Sequence, residues 1–260
     1  MEKTGGELSK VSVCLSPVLF YQYAEQLDSD CIVVVIDVLR ATTTIASALN
    51  NGASGVKAVS EVSECIEVAA QLNGVAGGER EGKVAPGLEH GNSPLEYTRE
   101  LLGGRPLVLT TTNGTRLLNL AQKHSPKQII TGAFVNLDAV VTHIRAEKKL
   151  SESNRLNVVL ACAGWRDSVC LEDSMFAGAV VSRLRETGDF QIQCDSAQTV
   201  ESLYNSAKSD LYENLKSASH FQRLAKLNLF DDLRFCLTPS TINLVPLFNV
   251  DTGLLISKVL

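Results

Sequence analysis

A chain of 260 residues, 45% hydrophobic and 20% charged, has the composition of a globular protein that buries a substantial core. Its net charge of −5 argues against a nucleic-acid surface, and no apolar run approaches the roughly 20 residues of a membrane span. The polar start, Met1 to Glu7, leads into no signal-peptide core, and seven scattered cysteines without a C-x-x-C pair fit a reduced, cytoplasmic protein.

Taken in chain order, Val11 to Leu15 reads as a strand and Ile32 to Val38 as a central one. A continuous Val/Ile run, rather than an alternating one, is the pattern of a strand buried on both faces of a parallel sheet. The run stops at Asp37, and Arg40, Thr42, Thr43 and Thr44 follow before Ile45 to Leu49 starts a helical pattern. Val56 to Val59 is a third strand, leading into a helix over Glu61 to Leu72. Val75 to Glu79 is a short strand that ends in an acid. Gly87 to Gly91, with His90, reads as a mobile loop, and Ser93-Pro94 as a helix start. Pro106 to Leu109, Gln128 to Thr131 and Asn157 to Cys162 add three strands, each followed by a helix-like segment. Ser174 to Arg185 is a helix, Ser202 to Lys226 a long polar helical stretch, and Ile242 to Val250 a last strand.

This βαβα rhythm predicts an α/β protein with a mostly parallel sheet covered by helices on both faces. A β/α barrel would need eight regular units, and the spacing here is less even. No Ser/Pro-rich linker interrupts residues 1–260, so one compact unit is expected, with two halves at about 1–125 and 126–260 as its only division. The stretch Ser202 to Lys226 could serve a homodimer interface.

Four strand ends carry polar residues that a fold does not need: Asp37 to Thr44, Gly77-Gly78-Glu79-Arg80, Thr110 to Arg116, and Cys162 to Asp167. Open α/β sheets place ligands at that edge, and the helix N-termini there favour anions. Each segment contains an arginine, namely Arg40, Arg80, Arg116 and Arg166. Four guanidinium groups at one edge suit a small, multiply anionic ligand. The turn Thr110-Thr111-Thr112-Asn113-Gly114-Thr115 is polar enough to cradle a phosphate, with Gly114 allowing close backbone approach. Carboxylates gathered at such a pocket are how Mg²⁺ is held, and Asp37, Glu79, Glu172 and Asp173 are the candidates. Glu172 and Asp173 are adjacent and cannot both face one point on a helix, so one of them caps or pairs instead. Asp167, Asp231 and Asp232 read as surface or capping acids. His90 reads as solvated, and Cys162 and Cys170 lack a histidine partner for nucleophilic chemistry.

Taken together, V-I-D-V-L-R-A-T-T-T, G-G-E-R, G-N-S-P, T-T-T-N-G-T, C-A-G and L-E-D-S-x-F-A-G-A resemble the 2-phosphosulfolactate phosphatase family, the ComB-like phosphatases of coenzyme M biosynthesis. The likeness runs in order from about Val11 to Leu247. It implies a three-layer α/β/α fold of the family's own kind and a Mg²⁺-dependent phosphatase that converts (2R)-2-phospho-3-sulfolactate to 3-sulfolactate and phosphate. Roles for single residues rest on the residues themselves. Asp37 and Glu79, with Glu172 or Asp173, would hold the metal. Asp37, Arg40, Thr42, Thr43, Thr112 and Asn113 would act on the phosphoryl group. Thr44, Thr111, Gly114 and Thr115 would line its cradle, and Arg80, Arg116 and Arg166 would anchor the carboxylate and sulfonate. A covalent route with Asp37 as nucleophile, as in haloacid dehalogenase phosphatases, would need a second acid where this chain has Leu39. A phosphatase for another small 2-phospho acid, or a non-catalytic anion binder, would share the same pocket.

Overall fold

Alternation inside the apolar run of residues 31–36 organises the molecule. The computed structural model describes residues 9–24, 27–111, 114–151 and 155–259. In chain order they form β1 (Ser9–Cys14), α1 (Pro17–Ala24), β2 (Cys31–Ile36), α2 (Ala41–Asn50), β3 (Val56–Val59), α3 (Val62–Gln71), β4 (Val75–Arg80) and β5 (Lys83–Val84). There follow α4 (Arg99–Leu102), β6 (Leu107–Thr110), α5 (Gly114–Gln122), β7 (Gln128–Gly132), α6 (Leu137–Leu150) and β8 (Asn157–Cys162). The last part comprises α7 (Leu171–Glu186), β9 (Phe190–Gln191), α8 (Asp195–Ala207), α9 (Leu211–Leu215), α10 (Ser219–Lys226), α11 (Phe230–Cys236), β10 (Leu244–Asn249) and β11 (Leu254–Val259).

Every residue of β2 is buried, yet its two faces go to different cores, as period 2 requires. Ile32, Val34 and Ile36 join Val140 and Ile144 of α6, Phe176 and Val180 of α7, and Val200 of α8. Cys31, Val33 and Val35 join Phe20 of α1, Ile45 and Ala48 of α2, and Leu117 and Leu118 of α5. Helices therefore cover both faces, giving the α/β/α layering. On the far block the same rule sends Leu107 and Leu109 of β6 to the second core and Val108 to Cys65 and Ala69 of α3.

The strands form one eleven-stranded sheet in the order β5-β4-β6-β3-β11-β10-β7-β2-β8-β1-β9. Two parallel blocks, β4-β6-β3 and β7-β2-β8-β1-β9, are joined by the antiparallel β10–β11 hairpin. Single register pairs make the joins, Leu247 with Ile130 and Leu255 with Val56. The sheet is open, with β5 and β9 at its edges, so it does not close into a barrel. Strands β1 and β2 lie among β7, β8 and β9, so residues on both sides of position 125 share one block.

Four local expectations change. The helix expected over Ser202 to Lys226 is three pieces, α8, α9 and α10. Asp210 breaks the run by capping α9, its carboxylate accepting from Glu213 N at 3.0 Å. Pro94 to Glu96 form a turn, and the helix starts only at Arg99, where the Thr98 hydroxyl accepts from Leu101 N. The segment Gly87 to Gly91 is not a free loop: Gly78 N donates to His90 O at 3.0 Å and Tyr97 Oη to Gly91 O at 2.5 Å. Finally, α7 begins three residues before Ser174 and carries Glu172 and Asp173 in its first turn.

His143 of α6 is fully buried, with Nε2 2.7 Å from Gln128 Oε1 and Nδ1 without a partner. Burial, helped by Lys258 and opposed by Glu147, lowers its pKa to about 4. A neutral native imidazole adds stability that is complete above the unfolded pKa of about 6.5 and drains away as pH falls toward 4, by about 3 kcal/mol. Melting curves of His143→Gln should therefore show a shallower loss of Tm between pH 6.5 and 4 than wild type. Identical slopes would contradict this.

Candidate active site

Asp37 is the first residue after β2, and its neighbours are fixed by hydroxyl groups of the following turn. Asp37 N donates to Thr42 Oγ1 at 3.1 Å, and Thr42 Oγ1 donates to Gly132 O at the end of β7 at 2.8 Å. Thr43 Oγ1 donates to Val38 O, and Thr44 Oγ1 to Asn92 O. Ser47 and Asn51 continue that face of α2 by donating to Pro94 O and Tyr97 O, each at 2.8 Å. The threonine hydroxyls are thus spent on backbone carbonyls, tying β2 to β7 and to the segment 92–97.

Across the edge, Asp173 binds two loops at once. Its Oδ1 accepts from Val38 N at 2.9 Å and its Oδ2 from Gly164 N at 3.0 Å. Glu172 turns the other way, as adjacent helix residues must. Its Oε1 lies 2.8 Å from His220 Nδ1, while Oε2 is buried with no hydrogen-bond partner. Glu79 Oε2 accepts from Gly82 N at 2.8 Å.

These strand ends surround a cavity of about 330 Å³. Asp37, Leu39 and Arg40 enter it from β2, Glu79 and the turn at Glu81-Gly82 from β4, Thr111 from β6, and Trp165 and Arg166 from β8. The face of α10 closes it with His220, Arg223 and Leu224, and Leu227 follows just past the helix end. Glu81, Arg166 and Asp167, all non-glycine, have φ of 56°, 49° and 63°, the left-handed conformations that gather at functional loops. Gly114, the first residue of α5, lies so close that a Cβ there would stand 2.9 Å from Asp37 Oδ2. Glycine lets this helix N-terminus reach the carboxylate.

The four expected arginines do not converge. Arg40 and Arg166 line the cavity. Arg80 donates to the carbonyls of Glu79 and Ser60 and to Thr110 Oγ1, bracing β3, β4 and β6. Arg116 pairs with Asp167 at 2.8 Å on the exposed surface. Asp232, expected at the surface, is buried and holds Arg40 in an ion pair while accepting from Ser93 Oγ at 2.8 Å. Arg40 also donates to Gly82 O at 3.2 Å. Thr115 Oγ1 lies 3.4 Å from Thr111 Oγ1. Thr112 and Asn113 lie outside the described residues. His220, Arg223 and Trp165 were not singled out from the sequence. The available signal was the spacing 220, 223, 224 and 227 on one helical face, which reads first as ordinary amphipathicity.

Burial pushes the Asp37 carboxyl up to about 6; Glu79 and Glu172 add to the rise, against His220 and Ala41 N–H. Burial also raises Asp173, with Glu172 and Asp37 contributing and its two N–H donors opposing. Asp37 and Glu79 line the cavity together with carboxylate oxygens of the kind Mg²⁺ takes, and Glu172, with its unpartnered oxygen, adds negative charge next to Asp37 that a divalent cation would offset. Cys170 Sγ, Glu172 and His220 also cluster within 4.8 Å, but a thiol raised by burial and by Asp173 does not suit that ion.

No helix among the described residues is long and apolar enough to cross a membrane. The sequence model of 2-phosphosulpholactate phosphatase matches residues 20–251. A probable 2-phosphosulfolactate phosphatase of Synechocystis sp. is 42% identical over 221 residues, covering 84% of this chain and 88% of the relative. Proteins of the same description from Thermotoga maritima and Caldanaerobacter subterraneus are 39% and 37% identical, each over 82% of this chain and 87% and 86% of the relative. The family match spans the strand ends that build the cavity, and the chain belongs to the 2-phosphosulfolactate phosphatase family.

Proposed function

We propose that this chain hydrolyses the phosphate ester of 2-phosphosulfolactate in the cavity at Asp37, giving 3-sulfolactate and inorganic phosphate, as a step of coenzyme M biosynthesis. The observation that carries this reading is the meeting of Asp37, Glu79 and Arg40 in one pocket beside the N-terminus of α5. Water adds to phosphorus, the bond from phosphorus to the C2 oxygen breaks, and the proton lost by water is balanced by one gained at the leaving oxygen.

Each side chain has a definite task. Arg40, kept in place by Asp232, and the N–H groups opening α5 set a positive field where phosphoryl charge develops. Mg²⁺ held by Asp37, Glu79 and the free oxygen of Glu172 would polarise a phosphoryl oxygen and acidify water. His220, anchored through Nδ1 to Glu172, keeps Nε2 for carrying a proton to the leaving oxygen. Leu39, two residues after Asp37, lines the cavity as a hydrocarbon, so the second acid of a covalent aspartyl route is missing and direct attack by water is favoured. All seven cysteines are free thiols, which supports a reducing, cytoplasmic setting. In the stretch set aside for a homodimer, Leu211, Leu215, Phe221 and Leu224 are buried in this chain's own core.

Phosphate release from a panel of 2-phospho acids, with Mg²⁺ and after chelation, tests the reading. Release from 2-phosphosulfolactate should fall at least about 100-fold in EDTA and return with Mg²⁺. Undiminished release in EDTA would remove the metal, and turnover confined to other phospho acids would move the substrate.

A further inference from the structure

Among the cations of the cavity, Arg223 has no carboxylate within ion-pair distance among the described residues. Arg40 is ion-paired with Asp232, and Arg166 faces Glu81 at 3.6 Å. Arg223 makes one weak hydrogen bond, Nη1 to Ser219 Oγ at 3.4 Å, and its Nη2 is buried without a hydrogen-bond partner. A buried, unpaired guanidinium N–H is costly, and here an aromatic ring lies beside it. Its guanidinium carbon lies 4.1 Å from the centroid of the Trp165 ring, with that of Arg166 at 4.5 Å from the same ring. Leu224 and Leu227 line the same cavity with hydrocarbon.

We propose that Arg223, seated on Trp165, is the specificity-determining residue that reads the sulfonate of the substrate. The inference rests on the phosphatase reading above and adds which group recognises the end remote from phosphorus. Two features favour a sulfonate there. Arg223 stands three residues after His220 on α10, about 4.5 Å further along the helix axis. In 2-phosphosulfolactate, phosphorus and sulfur are separated by four bonds, a span of the same order, so a phosphoryl group beside His220 brings the sulfonate to Arg223. Moreover, an apolar wall and a stacked guanidinium select a diffuse, weakly hydrated anion over a small, strongly hydrated one. The bond is made equally in ground and transition states, so it acts on KM more than on kcat.

The test compares 2-phosphosulfolactate with 2-phospholactate, which lacks the sulfonate. In Arg223→Gln the ratio of kcat/KM values for the two substrates should fall about 10- to 100-fold, mostly through KM. Arg223→Lys should recover only part of the preference, because it restores charge without the planar fork. A misfolded fraction scales both substrates together and leaves the ratio untouched. An unchanged ratio, or a loss confined to kcat, overturns the proposal. Titration with 3-sulfopropionate against propionate is independent of turnover. Wild type should prefer the sulfonate and Arg223→Gln should lose that preference, even if no phosphate is released and the phosphatase reading fails. Equal preference in both proteins overturns the proposal.

Discussion

Asp37→Asn should lower kcat/KM on 2-phosphosulfolactate by about 10³-fold, while the metal-free protein melts no lower than wild type. The catalytic loss follows from the place of Asp37 at the centre of the carboxylate group, where several kcal/mol of transition-state stabilisation depend on holding a cation against the phosphoryl oxygens. The stability result has the opposite sign because the ionised carboxylate is a liability in the metal-free fold. Burial and the charges of Glu79 and Glu172 raise its pKa to about 6, so at neutral pH the native state carries a charge it resists. Asparagine keeps the oxygen that faces Ala41 N and removes that charge. Steady-state kinetics with a melting curve in EDTA read both effects. A variant that keeps its activity, or one that melts well below wild type, would contradict the assignment.

Asp232→Ala should destabilise the protein by about 3–5 kcal/mol, the usual cost of removing one partner from a buried ion pair. The Arg40 and Asp232 side chains are 4% and 6% exposed, so Arg40 would be left as an unpaired buried cation. The same carboxylate accepts from Ser93 Oγ, so the turn at Pro94 to Glu96 loosens as well. The double variant Arg40→Met with Asp232→Leu should recover much of the stability, since an apolar pair of similar size removes the stranded charge, but not the activity. Urea denaturation measures both. A loss under about 1 kcal/mol in Asp232→Ala would show that Arg40 finds another partner.

The fold was legible wherever burial imposed a simple pattern. The Val/Ile run of β2 and the short apolar runs of β3, β6, β7 and β8 announce themselves because parallel strands are covered on both faces. The direction change at β10–β11 was not. Its strand β11 is half exposed, and the turn rests on Asn249, whose side-chain oxygen accepts from Asp251 N and Thr252 N, with Gly253 at φ 64°. The signal was present as N-V-D-T-G, a turn composition, but it straddles the end of the last strand expected, and no strand was expected after it. Among site residues, acids at strand ends were readable because a carboxylate after six apolar residues needs a reason. Arginines were less so: position along the chain does not say whether a flexible cation faces a ligand, a carbonyl or a neighbouring acid. Arg80 and Arg116 took the last two, and Arg223 sits on a helix whose pattern resembles any amphipathic surface helix. Asp232 was misplaced for the same reason, since Asp231-Asp232 looks like a solvated pair until the Arg40 side chain reaches it.

The most direct measurement is a phosphorus NMR time course of 2-phosphosulfolactate with the purified protein and Mg²⁺. The ester resonance should give way one for one to inorganic phosphate in wild type and persist in Asp37→Asn. An ester that survives equimolar, folded wild-type protein, or hydrolysis that proceeds equally in Asp37→Asn, would contradict a phosphatase centred on this cavity.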